Sequence, residues 1–303
     1  PADPVFISYR QKDGTGVAGE LAWLLRAAGI PVWRDRDDLP PGDTEARLKQ
    51  AIAGGISGGV LVTTPDVVNS RVVKTLEAPQ LLELHRDHEV FALGIVNSVI
   101  RPGTLSGVDQ RSAERDGLLA LIRGLVWHRI ASLRKRIEAT DPTFRLSLQT
   151  RNTPQVYDRT GDELDIRLRP SDHERLPSTE GLRDLKDTIG LLPDAVTRSG
   201  AHRLRVAGGA HLSVAFAIGA ALPSSRIGHM DVIDQQGATW ASDGEARFIE
   251  QPQVQIADQG GDPSAITTGR PSVAVYVDLL PQRSDTAFTR YIEDHRPFLA
   301  AWR

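Results

Sequence analysis

Short runs of β-branched and aromatic residues, spaced by stretches of helical periodicity, constrain the fold of this 303-residue chain more than any other feature. Pro4 to Tyr9 (PVFISY) and Gly58 to Thr63 (GGVLVT) are apolar enough to be buried strands, and Val32-Trp33 and Val90 to Val99 read as strands beside them. After a polar, glycine-rich stretch from Arg10 to Gly16, Val17, Leu21, Leu24 and Leu25 recur at helical spacing and end at a C-cap, Gly29. Ser70 to His85 carries Val73, Leu76, Leu81 and Leu82 as a second such helix. Strands and helices alternating in this way predict a parallel, doubly wound sheet.

Within that alternation, Ile30 to Glu45 (IPVWRDRDDLPPGDTE) is the most distinctive connector. Asp35 to Asp38 break the apolar pattern after Trp33, Pro40-Pro41 stiffens the chain, and Gly42 permits a sharp turn. Asp43 stands where a helix N-cap belongs, ahead of Ala46, Leu48 and Ile52. Strand, rigid acidic loop and helix follow one another, with the loop at the carboxyl end of the strand, where open α/β sheets bind ligands. Any βα unit needs a connector, so this loop alone implies no ligand.

Farther on, Gln110 to Ala139 reads as one long helix, apolar in its first half and a charged connector in its second. A domain boundary is expected near Asp141-Pro142, giving domains 1–141 and 142–303. The second half repeats the α/β pattern. Phe144 to Thr150, Glu163 to Leu168, His202 to Ala207, Ile227 to Ile233 and Ser272 to Leu279 read as strands. Thr179 to Leu192, Leu212 to Leu222 and Thr286 to Trp302 read as helices, and Ala238 to Asp243 as a turn holding Trp240. A chain ending on a helix without a following strand is expected to stop inside a larger domain. Because the one methionine is Met230, the numbering is not expected to begin at a translation start, and segments missing from loops stay an open alternative.

Composition removes several classes of function. There is no cysteine, which excludes disulfides, cysteine-ligated zinc and cysteine nucleophiles. A net charge of −3, from 36 Lys+Arg against 39 Asp+Glu, argues against bulk nucleic-acid binding while permitting a local anion pocket. No run is apolar enough to span a membrane and no secretion signal opens the chain. The expectation is a soluble cytoplasmic protein without DNA, membrane or metal as partner.

Four pieces then occur together in order: FISYR (Phe6 to Arg10), VWRDRDDLPPGD (Val32 to Asp43), VLVTTPDVVNS (Val60 to Ser70), and a helix from about Ser70 that carries Glu77. The ordered set, over residues 1 to about 137, resembles a TIR domain, a flavodoxin-like module that serves either as an adaptor or as an NAD-cleaving enzyme. The resemblance makes Glu77 the catalytic candidate, although it follows Ser70 at one residue more than the family's usual spacing. Glu83, on the same helix, is the rival. Most helix glutamates are solvated and do nothing further. Cleaving the nicotinamide–ribose bond builds positive charge on the sugar, which a fixed carboxylate stabilises. The resemblance implies NAD+ as substrate rather than cofactor. Tyr9 and Trp33 are candidates to stack on its rings, and Arg10, Arg34 and Arg36 are candidates for its pyrophosphate. Trp33 as plain core is an equally open reading. Asp38 and Leu39 are expected to contact a neighbouring TIR domain.

In the second half, Leu204 to Leu222 (LRVAGGAHLSVAFAIGAAL) reads as strand, Gly208-Gly209 turn and helix, an arrangement suited to an anion at the helix N-terminus. On spacing alone it is an ordinary tight connection. Together with Gly228 to Trp240 and Ser272 to Leu279, it resembles the SAVED domain, a Rossmann-like sensor of cyclic oligonucleotides. That resemblance covers about residues 142 to 303, with one of the family's two lobes clear. It implies a cyclic oligoadenylate-type activator, contacted by Arg205, Gly208, Gly209, His211, Ser213 and Trp240, with Arg203, Arg226 and Arg283 as further candidates. A TIR–SAVED antiphage effector is then expected, in which ligand drives assembly into an open helical filament and switches on NAD+ hydrolysis. The alternative is a non-catalytic TIR scaffold that assembles on a nucleotide signal. A dinucleotide enzyme built on Gly208-Gly209 lacks the G-x-G-x-x-G fingerprint.

Overall fold

The computed structural model describes residues 3–34, 55–98, 108–140, 142–151, 161–172, 176–234, 236–242, 260–261, 272–277, 285–296 and 299–302. Arg36, Asp38, Leu39 and the remainder of the acidic connector lie outside the described residues, as does Arg283. By internal contacts, residues 1–246 form one compact unit and residues 247–303 another.

The first sheet is made of β1 (Val5–Tyr9), β2 (Val32–Arg34), β3 (Gly58–Thr63), β4 (Ala92–Asn97) and β5 (Asp109–Ser112), ordered β2-β1-β3-β4-β5 and parallel throughout. This is the flavodoxin-like order, with its switch point between β1 and β3. Helix α1 (Gln11–Ala27) packs on one face. It starts within the stretch read as a polar loop, because Gly14 lets its first turn press on the Tyr9 side chain, where a Cβ would come within 3.3 Å. Helix α2 (Ala78–Asp87), on the opposite face, brings Leu81 over Gly59. The expected helix from Gln110 begins instead with β5, whose half-exposed, polar residues give no strand periodicity, and continues as α3 (Arg115–Ala139). The second half of α3 is no solvated connector, since Arg129, Ile130, Leu133 and Ile137 are all buried.

The second sheet comprises β6 (Thr143–Gln149), β7 (Leu164–Arg167), β8 (Arg203–Gly209), β9 (His229–Ile233) and β10 (Thr239–Ala241), ordered β10-β9-β8-β6-β7. Four strands are parallel and β10 is an antiparallel edge. The segment holding Trp240 is therefore a strand rather than a turn; at three residues it is too short to show alternation. The helix expected over Thr179 to Leu192 divides into α4 (Thr179–Thr188) and α5 (Leu191–Arg198), parted at Ile189-Gly190. Ser178 caps α4 by accepting the Gly181 amide at 3.0 Å. Gly208 and Gly209 belong to β8, paired with Leu148 and Gln149, before α6 (Leu212–Ala221) and the short α7 (Ser224–Ile227).

One hydrophobic core runs through both sheets, from Ile7, Leu21 and Leu25 through Leu121 and Ile130 to Phe144, Leu164 and Leu204. The Asp165 amide donates to the Gly29 carbonyl at 2.8 Å, and a Cβ on Gly29 (φ 85°) would lie 2.7 Å from the Leu164 Cβ. The buried Arg129 guanidinium donates to the carbonyls of Asp3 and Glu163, both at 2.9 Å. Burial pulls it down to about 10, so it stays charged at neutral pH.

Residues 247–303 contain β11 (Ser272–Ala274), α8 (Thr286–His295) and β12 (Leu299–Trp302), with β11 and β12 parallel. The expected helix to Trp302 thus stops at His295, before Pro297, and a strand follows it. Tyr276 stacks on Phe288 at 5.0 Å between ring centres.

Candidate functional site

Glu77 reaches its position through an irregular helix entry. After the 3-10 turn Val67–Asn69, the Ser70 hydroxyl accepts the Val73 amide at 3.4 Å, and Val73–Glu77 form a π turn leading into α2. The cause is legible in Pro79, whose ring would clash with the Thr75 carbonyl in a regular helix and which supplies no amide hydrogen. A π turn takes in one extra residue. Glu77 is the last residue of that turn, and its side chain faces inward. Glu77 is 4% exposed and accepts a hydrogen bond from the hydroxyl of Ser8, itself 1% exposed on β1. Glu83 sits on the exposed side of α2.

Strand alternation places Phe6 and Ser8 on the same face of β1. There Phe6 meets Trp33 at 4.8 Å between ring centres, tilted by 38°, in a cluster with Leu61, Leu76 and Leu81. Trp33 is buried and forms part of this core; Tyr9 is buried in the core on the other face. Arg10, just past β1, pairs with Asp13 and Asp66, each at 3.3 Å. Slight burial acts upward on the Asp13 carboxyl, but the charge of Arg10 beside it helps hold the group below its usual value. Glu77 and Ser8 thus meet on the face of the sheet that also holds Trp33, and Arg10 lies just past the carboxyl end of β1 with its charge compensated. A cavity of about 320 Å³ lies at the opposite, amino edge, lined by Val5, Ile56, Phe91, Leu125 and His128 among others.

The second sheet has its own switch point between β6 and β8, with Gln149-Thr150 and Gly208 to His211 at the strand ends. Gly208 takes φ 117°, and a Cβ there would stand 2.3 Å from the Leu148 carbonyl oxygen, so only glycine fits the closing of this strand pair. Thr150, which sequence reasoning missed, binds the segment together. Its amide donates to the Gly209 carbonyl at 3.1 Å, and its hydroxyl accepts the His211 amide at 3.0 Å and shares a hydrogen bond with His211 Nδ1 at 3.1 Å. His211 is buried at the N-cap of α6, and Ser213 is exposed in the first turn.

Arg205 and Trp240 are not brought to that point. Arg205 lies within β8 and, at 3.5 Å, shares the buried Asp231 carboxylate with Arg203, which binds both its oxygens at 3.0 and 3.1 Å. Trp240, on the edge strand, is 56% exposed and donates through Nε1 to Asp234 at 3.0 Å. That bond, with the Ala238 amide, holds the Asp234 carboxyl below its ordinary value. Arg226 pairs with Asp194 at 2.7 Å. Among the described residues no helix is long and apolar enough to cross a membrane.

Comparisons with known proteins bear on the first of these sites. The TIR-domain family model matches residues 5–121, which contain the whole first sheet, Ser8 and Glu77. No curated protein matches the chain. Among solved structures, a metazoan TIR-STING receptor from C. gigas in complex with 2′,3′-cGAMP is 14% identical, covering 48% of this chain and 55% of the receptor, with a TM-score of 0.30. This chain therefore spans about half the length of that receptor. The Acinetobacter baumannii Cap4 SAVED/CARF-domain containing receptor, solved with the cyclic trinucleotide 3′3′3′-cAAA, is 9% identical over 88% of this chain and 76% of the receptor, with a TM-score of 0.31. Likenesses at this level carry no argument; what stands is that residues 5–121 match the TIR-domain family model and form a flavodoxin-like parallel sheet.

Proposed function

We propose that this chain is a ligand-activated NAD+ hydrolase of an antiphage-type signalling system, with its TIR domain as effector and residues 142–303 as a SAVED-like sensor of a cyclic oligonucleotide. The observation that carries the catalytic half is Glu77, a carboxylate at the end of a π turn that is held by Ser8. As nicotinamide leaves, C1′ of the ribose takes on positive charge, and a fixed carboxylate beside it lowers the barrier; water then completes hydrolysis. Removing one preorganised electrostatic contact of this kind costs about 3–4 kcal/mol, or two to three orders of magnitude in rate. Glu83, being exposed, lacks the water-poor setting that gives a charge this leverage.

The sensor half is supported by the second switch point, where Gly208, Gly209 and His211 converge at strand ends before α6. NAD+ is the substrate, a cyclic oligoadenylate-type molecule the activator, and the cytoplasm the place of action. Activation proceeds through ligand-driven multimers joined by the Asp38-Leu39 loop.

The test is nicotinamide release by the full chain with and without a panel of cyclic oligonucleotides. One member of the panel is expected to switch on release. Multimers that form on ligand but consume no NAD+ would instead establish the scaffold reading.

A further inference from the structure

We infer that Ser8 is a positioning residue for the reaction, the group that fixes the Glu77 carboxylate in its working orientation; the inference rests on the NAD+ hydrolase reading above. Ser8 interrupts the apolar run VFISY and is more deeply buried than Glu77. A hydroxyl placed there costs stability unless it is hydrogen-bonded, and its donor goes to Oε2 of Glu77, 69 positions away in the chain. Packing alone does not call for this pair, because an alanine or valine in β1 and a leucine on the helix would fill the same space more cheaply.

The two residues also come from elements of different character. Ser8 is borne on a strand hydrogen-bonded on both sides, to β2 and to β3, and is therefore rigidly placed. Glu77 ends a π turn, an irregular piece of helix of the kind often found at functional sites. The strand hydroxyl ties the Glu77 carboxylate to the sheet. By holding Oε2 it limits the orientations the carboxylate can take beside a bound ribose. Nothing is transferred in this step: Ser8 keeps its proton throughout and touches no reacting atom. The sheet acts on the reaction through Glu77.

The experiment uses the full chain with the cyclic oligonucleotide that activates it, and compares Ser8→Ala with Ser8→Thr, which keeps the hydroxyl on a β-branched strand residue. Ser8→Ala is expected to lower kcat about ten- to a hundred-fold, the range for one hydrogen bond to a charged group, while leaving KM nearly unchanged. Ser8→Thr is expected to recover most of that loss, and on a Glu77→Gln background Ser8→Ala should cost little more. Wild-type kcat in Ser8→Ala, or an undiminished loss on the Glu77→Gln background, overturns the inference. Should the unmodified chain release no nicotinamide with any activator, the hydrolase reading fails separately. The carboxyl ¹³C resonance of Glu77, assigned by its loss in Glu77→Gln, then decides: a shift in Ser8→Ala restored in Ser8→Thr upholds the positioning role, and a resonance unmoved by Ser8→Ala refutes it.

Discussion

Glu77 and Gly29 show how much single residues decide here. Glu77→Gln keeps the volume and the hydrogen bond from Ser8 but removes the charge, so NAD+ cleavage should fall at least about a hundred-fold while the melting temperature holds, and Glu83→Gln should leave turnover near normal. Steady-state nicotinamide release for the two variants checks this directly. Gly29→Ala forces an L side chain into φ 85° and against Leu164, so it should destabilise the fold by about 1–3 kcal/mol, lowering the melting temperature by several degrees. The glycine was legible as a helix C-cap from spacing; its second role, letting α1 touch β7, depends on a partner 135 positions away and left no local mark. Likewise Ser8 within β1 and Thr150 just past β6 carry small hydroxyls whose importance lies in partners that only the folded chain supplies.

Elements were legible where their periodicity was strong. The strands of buried aliphatics, β1, β3 and β8, were found within a residue or two, whereas β5 and β10, polar or very short, were read as helix and turn. The π turn before α2 was foreshadowed by Pro79, but proline signals only a disturbance and does not say which helical form absorbs it. Element packing also carries a prediction about charge. Asp184 of α4, 2% exposed, binds Arg115 of α3 at 3.0 Å and Arg169 at 2.6 Å, and both arginines also reach Glu20 of α1. Asp184→Ala removes charge-assisted hydrogen bonds to two arginines that keep Glu20 as a partner, so it should cost about 1.5–3 kcal/mol. Asp187, 29% exposed and paired with Arg115 at 2.6 Å, should cost under about 1 kcal/mol when changed to Ala. Thermal or urea unfolding of the two variants measures the contrast, and equal losses would mean the network is not organised around Asp184.

Across the whole molecule, the same strand order occurs in both sheets, each with a switch point at which chemistry-bearing residues gather. The two five-stranded sheets share one core, α1 and α3 packing against elements of both, so they are joined by packed side chains rather than by a flexible tether. A ligand bound by the second sheet is then expected to act by changing how whole chains associate, with Asp38→Ala or Leu39→Ala lowering activity while leaving ligand affinity intact. The central claim is that one chain couples recognition of a cyclic nucleotide to destruction of NAD+ through Glu77. The most direct test follows ligand binding by calorimetry and nicotinamide release in the same samples of wild type and Glu77→Gln. The account predicts equal ligand affinity in both, with release confined to the wild type and dependent on ligand; release that persists in Glu77→Gln, or that proceeds in the wild type regardless of ligand, would contradict it.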